Sequence, residues 1–226
     1  YFVHKKHNKI MVLRCHVSGL YNKNYLGRLW AYFSFMFSSF FGAIFKLKSN
    51  YDLILVTSPP IVVGLSGYLI SKIKRIPLLF EVRDLWPESA IDTGVVSNRI
   101  IIKISYMIEK FIYKNSNLIN VLTPAFFKIL NKNKNVDKNK LIMIPNSADF
   151  DLVEKVSMNF NKNTFRIKNN LYDKFVITYV GAHGLANNLQ QILDVAILLK
   201  DTEVIFLLIG EGMEKQKLID FKNHNK

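Results

Sequence analysis

Pro77-Leu-Leu-Phe-Glu-Val-Arg-Asp-Leu-Trp-Pro-Glu-Ser-Ala90 is the stretch whose reading decides the fold. It opens as an apolar run fit for a buried parallel strand and turns abruptly into Glu81, Arg83, Asp84 and Glu88 around Trp86-Pro87. In open α/β sheets the ligand sits in the crevice outside the carboxyl ends of the strands. Charge clustered there reads as a site, or as a structural ion pair at a strand end. Arg83 and Asp84 are sequence neighbours, and neighbours in an extended chain point to opposite faces. A local salt bridge between them is therefore not expected, and each needs a partner elsewhere or a ligand.

Working outward, residues 51–57 form a short apolar strand bounded by Ser58-Pro59-Pro60. Proline near a first turn opens a helix, and residues 61–73 are expected to form one. Strand, helix and the strand at Pro77 make a βαβ unit, whose crossover requires parallel strands. A helix over about 97–113 follows, with Ile100, Ile101, Ile104, Met107, Ile108 and Phe111 at a 3.6 period. Strands at 117–122 and 140–145, with a short helix from Pro124 between them, continue the α/β alternation. Residues 1–24 are less informative, with a strand ending near Val17 and a loop at 19–24 expected.

From 147 to 173 the pattern dissolves into Asn, Lys and Asp. The expected organisation is a first Rossmann-like domain over 1–150, a connection over 151–173, part of it open to helix, and a second α/β unit over 174–226. That second unit has a strand at 174–180, a turn Gly181-Ala-His-Gly184, a helix over 185–200, a strand at 204–209 and Gly210-Glu211-Gly212. Glycines between strand and helix let backbone N–H groups approach an anion. The spacing is not that of the dinucleotide fingerprint, and a tight turn without ligand remains the other reading. His183 could hydrogen-bond a sugar or phosphate, or cap the helix. Glu211 could accept hydrogen bonds from a ligand on the same rim.

The 226 residues are 50% hydrophobic and 13% aromatic, enough for a real core. A single cysteine, Cys15, excludes an internal disulfide framework and a cysteine metal site, and fits a reducing cytosol. The net charge of +14, from 31 basic and 17 acidic residues, points to an anionic partner: nucleic acid, a membrane surface or a phosphorylated substrate. Lysine-heavy segments such as Lys132-Asn-Lys134 also read as solvated surface. Against nucleic acid, the aromatics cluster with other apolar residues and do not interleave with arginine as stacking platforms.

Residues 29–45 carry no charge and are crowded with aromatics, among them Trp30, Phe33, Phe37, Phe40 and Phe41. Ala31, Ser34, Ser38 and Gly42 form a small-residue stripe that lets a backbone approach. The expectation is a helix with its small face on the protein and its aromatic face toward lipid headgroups. A buried helix covering the sheet and a true span are the other two readings.

The order YDLILVTSPP, PLLFEVRDLWPES, LIMIPNSAD, ITYVGAHGLANNLQQIL and IFLLIGEGMEKQKL resembles the GT-B glycosyltransferases of family 4. Within them it is most similar to the WbuB-like N-acetyl-L-fucosamine transferases that build surface polysaccharides. The resemblance implies two Rossmann-like domains facing across a cleft, the second truncated. It implies a nucleotide-sugar donor, a lipid-linked glycan or saccharide acceptor, and retaining transfer without metal or cofactor. Gly181 and Gly184 would approach the donor diphosphate with His183 beside it, and Gly210, Glu211 and Gly212 would lie near the nucleoside. Glu81, Arg83 and Asp84 would face the reacting sugar or acceptor, with Asn146 at the cleft near the hinge.

The same resemblance places the family's first strand before Tyr1 and its paired donor-holding glutamates after Lys226, so this stretch alone is expected to be inactive. A peripheral position on the cytoplasmic face of a bacterial membrane follows from the acceptor and from 29–45. A nucleotide-sugar epimerase of the same fold is the alternative enzyme class, and a non-catalytic basic fragment binding membrane or nucleic acid is the third reading.

Overall fold

The computed structural model describes residues 3–7, 10–20, 25–47 and 51–225. They fall into two compact units, Tyr1–Ser147 and Ala148–Lys226. In the first, β1 (Val3–His7) and β2 (Ile10–Arg14) pair antiparallel. The early strand thus ends at Arg14, short of Val17. Of the expected 19–24 loop, residues 21–24 lie outside those described. Then follow α1 (Tyr25–Lys46), β3 (Ile54–Ser58), α2 (Val63–Lys74), β4 (Leu78–Val82), α3 (Glu88–Asp92), α4 (Arg99–Asn115), β5 (Leu118–Val121), α5 (Pro124–Lys132) and β6 (Leu141–Met143).

The sheet order is β3-β4-β5-β6, every neighbouring pair parallel. Strands laid down in sequence order through right-handed crossovers put their helices on one face. That face carries the core, with Leu78, Phe80 and Val82 of β4 against Ile112 of α4 and Leu130 of α5. Two glycines let α2 lie close: a Cβ on Gly64 would stand 2.5 Å from Ile112 Cδ1, and one on Gly67 would overlap Val56 Cγ2. Asn98 accepts the N–H groups of Ile100 and Ile101 to start α4. Thr123 accepts Phe126 N–H, with Pro124 in the first turn of α5.

In α4, four of the six apolar residues at the 3.6 period, Ile100, Ile104, Met107 and Phe111, are exposed, at 70, 49, 63 and 39%. Its buried side is Ser105, Glu109, Ile112 and Tyr113. Apolar residues lie on so much of this helix that period alone did not fix which side faces the sheet. The side with a carboxylate is buried because Lys134 meets it there.

The second unit begins with α6 (Phe150–Met158) and α7 (Lys162–Lys168). Asp149 and Asn161 start them by accepting Leu152 and Thr164 N–H. After these come β7 (Phe175–Val180), α8 (Gln190–Leu198), β8 (Val204–Ile209) and α9 (Lys215–His224), with β7 and β8 parallel. The helix expected over 185–200 is shorter. Leu185–Asn187 form a 3-10 turn and Asn188 adopts a left-handed conformation at φ 42, which asparagine tolerates. Leu189 is buried at the head of α8.

Candidate functional site

At the carboxyl ends of the first sheet, register places Thr57, Glu81 and Asn120 side by side on β3, β4 and β5. Thr57 Oγ1 donates to Glu81 Oε2 at 2.8 Å, and Asn120 Nδ2 donates to Glu81 Oε1 at 3.3 Å. Asn120 is buried, and its Oδ1 accepts the Ile144 N–H at 2.8 Å. Glu81 is therefore a cross-strand link with both oxygens engaged. Beyond the strand end, the Arg83 N–H donates to the Ser58 carbonyl at 3.2 Å while the residue itself is exposed. Asp84 Oδ2 accepts from Ser89 Oγ at 2.7 Å. Asp84 is thus held by α3 with Arg83 beside it on the rim. Asn146 lies exposed just past β6.

Thr57, Ser89 and Asn120 were not singled out from sequence, although a lone asparagine inside the apolar run of β5 was a visible signal. Nor was the cluster between α4 and α5, where Lys134 Nζ donates to Glu88 Oε1 at 2.6 Å and also bridges to Glu109. These residues line a cavity of about 840 Å³ with Tyr106 and Tyr113. Burial pushes the Glu109 carboxyl above the usual carboxylate range, and Lys134 opposes that shift. Burial and then Glu109 push the Tyr113 phenol up.

In the second unit the two glycine turns pack on each other. Gly181 N–H donates to the Ile209 carbonyl at 3.0 Å, and His183 N–H to the Glu211 carbonyl at 2.9 Å. A Cβ on Gly210 would overlap the Gly181 carbonyl oxygen, and one on Gly212 the His183 backbone. Those two glycines are required by close backbone approach. Gly184 differs: a Cβ there meets nothing nearer than Asn187 Oδ1 at 3.7 Å. The His183 ring is buried, and among the described residues neither of its nitrogens has a hydrogen-bond partner. Glu211 is exposed and paired with Lys215 one turn on. The 3-10 turn separates this loop from α8, so the helix does not begin directly after Gly184.

Along α1, Trp30, Phe37 and Phe41 are exposed. Phe40 is half-buried and stacks edge-on with Phe41. Phe33 turns inward and packs on the core. The small residues face the protein: Ala31 and Gly42 are buried, Ser34 Oγ accepts the Ser18 N–H at 2.9 Å, and Ser38 Oγ donates to the His16 carbonyl at 2.6 Å. By length and composition the helix could also cross a membrane.

No family model and no curated protein matches the chain. Solved structures do. HepE of Anabaena in complex with UDP matches over 90% of this chain and 51% of its own, with TM-score 0.61 and 15% identity. The same protein with UDP and glucose matches over 89% and 50%, with TM-score 0.62 and 15% identity. Sucrose-phosphate synthase from Thermosynechococcus elongatus matches over 98% and 54%, with TM-score 0.67 and 17% identity. The fold is GT-B. The chain spans about half the length of these GT-B structures. At such identities the GT-B likeness fixes architecture, and residue roles rest on the geometry above.

Proposed function

We propose that this chain is part of a glycosyltransferase that moves a sugar from a nucleotide-diphosphate donor onto a lipid-linked or saccharide acceptor. The observation that carries the reading is the likeness, across both units, to a protein solved with UDP and with UDP-glucose. The residues fit the chemistry. Breaking the bond between the sugar's anomeric carbon and the diphosphate leaves negative charge on the departing oxygen, which preorganised N–H dipoles stabilise. The open space at Gly184 lets an anion approach the end of this turn, next to the buried His183 ring, whose two nitrogens have no partner among the described residues. In the first unit Asp84, fixed by Ser89, orients the sugar or acceptor.

The finer reading follows the sequence resemblance: a UDP-N-acetyl sugar, retention of configuration without metal, the WbuB-like group, and surface polysaccharide synthesis at the cytoplasmic membrane face. The outward aromatics of α1 support the membrane part, because helices lying in the interface carry Trp and Phe on the face that enters the headgroup–acyl boundary.

Isothermal titration of UDP, ADP and inorganic phosphate into the whole enzyme tests the donor reading. UDP is expected to bind more tightly than phosphate, and turnover is expected with a UDP-N-acetyl sugar and a polyprenyl-linked acceptor. An enzyme that binds no nucleoside diphosphate would end the proposal. Flotation with anionic vesicles tests the membrane part separately.

A further inference from the structure

Asp84 owes its place to α3, and α3 is thinly supported. It has five residues, Glu88–Asp92, and a helix that short does not hold itself. Ser89 on it donates to Asp84 Oδ2 at 2.7 Å, and the Ser89 N–H returns to the Leu85 carbonyl at 2.9 Å. Trp86, just before the helix, and Ala90 within it line an apolar cavity of about 210 Å³. Leu85 and Glu88 line the larger cavity of about 840 Å³. Space beside α3 on two fronts leaves it fewer packed neighbours than a helix in a filled interior has.

At the wall of the larger cavity a charged tie reaches α3. Lys134 Nζ donates to Glu88 Oε1 at 2.6 Å, bridges to Glu109 of α4 and lies 5.5 Å from the centroid of the Tyr106 ring. The base of this tie is firm. Lys134 N–H donates to the Ile129 carbonyl at 3.2 Å, and Val136 N–H to the Leu130 carbonyl at 3.0 Å. Asn131 Nδ2 donates to the Val136 carbonyl at 3.0 Å, and Leu130 and Val136 are buried. The Lys134 side chain is 12% exposed, so its ammonium has given up most of its water and depends on these partners. We propose that Lys134 is a positioning residue for Asp84: through Glu88 it fixes α3, and through Ser89 α3 fixes the Asp84 carboxylate. This rests on the role given to Asp84 in the proposed transfer. The donor diphosphate is assigned to the second unit, so the tie acts on turnover and not on nucleotide affinity.

Glu88→Ala cuts the tie and leaves Lys134 paired with Glu109, so no buried charge is orphaned. In the whole enzyme, with a UDP-N-acetyl sugar and a polyprenyl-linked acceptor, kcat is expected to fall about tenfold, because misplacing a group by ~1 Å can cost on the order of a hundredfold. The Kd for UDP, read by calorimetry, is expected to stay unchanged. Lys134→Met is expected to lower kcat alike. Lys134→Arg and Glu88→Gln, which keep a donor and an acceptor, are expected to recover most of the loss. Glu109→Gln keeps the tie and is expected to leave kcat unchanged. In an Asp84→Asn background Glu88→Ala is expected to cost little more, since residues acting through one group are not additive. A second readout needs no substrate. On the Trp30→Phe chain Trp86 is the remaining indole, and its quenching by acrylamide is expected to rise with Glu88→Ala and not with Glu109→Gln. Circular dichroism of each variant confirms folding.

Unchanged kcat in Glu88→Ala and Lys134→Met, with Asp84→Asn impaired, would overturn the inference and leave the role of Asp84 standing. A loss in Glu88→Ala that Lys134→Met does not share would make Glu88 a direct contact and also overturn it. A full, additive loss in the Asp84→Asn background would do the same. A wild-type enzyme without turnover removes the proposed transfer, and Trp86 then decides whether Lys134 holds α3: quenching unchanged by Glu88→Ala ends that part too.

Discussion

Glu81 and Asn120 stand opposite each other on adjacent parallel strands, and the asparagine's amide donates to one carboxylate oxygen while Thr57 donates to the other. Glu81 therefore ties three strands together just below the rim that carries Arg83 and Asp84. Glu81→Gln preserves this arrangement, with its oxygen toward Asn120 and its amide toward Thr57. Glu81→Ala leaves the buried Asn120 amide short of a partner and should cost about 1–3 kcal/mol. Urea midpoints are expected to fall clearly for the alanine variant and little for the glutamine one.

Asp84 answers to a different measurement. Ser89 holds one of its oxygens, and the residue sits outside the strand. Asp84→Asn keeps the Ser89 contact and the fold, so its unfolding free energy from urea titration should stay within about 0.5 kcal/mol of wild type. Turnover of the whole enzyme is expected to fall at least tenfold. Unchanged turnover would remove Asp84 from the site.

The glycine turns separate packing from ligand approach. Gly210→Ala and Gly212→Ala drive a methyl group into the 181–183 backbone, and overpacking of this kind costs about 1–3 kcal/mol. Gly184→Ala has room. It is expected to leave the melting temperature unchanged and to weaken UDP binding, read by calorimetry on the whole enzyme.

Glu109 gives the molecule a pH signature. Its folded carboxyl titrates above the ordinary value because it is buried. Such a group contributes stability below the unfolded value, and that contribution is lost as pH rises through the folded one. From about pH 4.5 upward, stability should therefore decline by this term, and Glu109→Gln should flatten the slope. Lys134→Met removes the opposing cation and should steepen it. Denaturant unfolding across pH 4 to 8 on the three proteins checks the order, with ~4 to ~8 spanning the carboxylate and histidine ranges.

The α/β alternation was legible because parallel strands read as continuous apolar runs, as β8 does throughout and β4 does up to Phe80. The rim position of Asp84 followed from where charge replaced the apolar pattern. What stayed hidden depended on partners remote in sequence. Nothing local to α4 told that Glu109 would be buried, because its partner Lys134 lies 25 residues on. The same choice left Ile100 and Met107 outside. Gly210 and Gly212 looked like ligand glycines, and only the approach of the 181–183 backbone revealed what they accommodate.

Three lysines counted in the basic excess have their ammonium groups engaged within the fold. Lys74 donates to the Leu47 carbonyl, Lys134 bridges two carboxylates, and Lys140 reaches the carbonyls of Lys114 and Ser116 at the end of α4. Amine-reactive labelling read by mass spectrometry should pass over these three in the folded protein while modifying Lys103 and Lys110 readily. Their sudden reactivity would then serve as a covalent timestamp for the first unit coming apart.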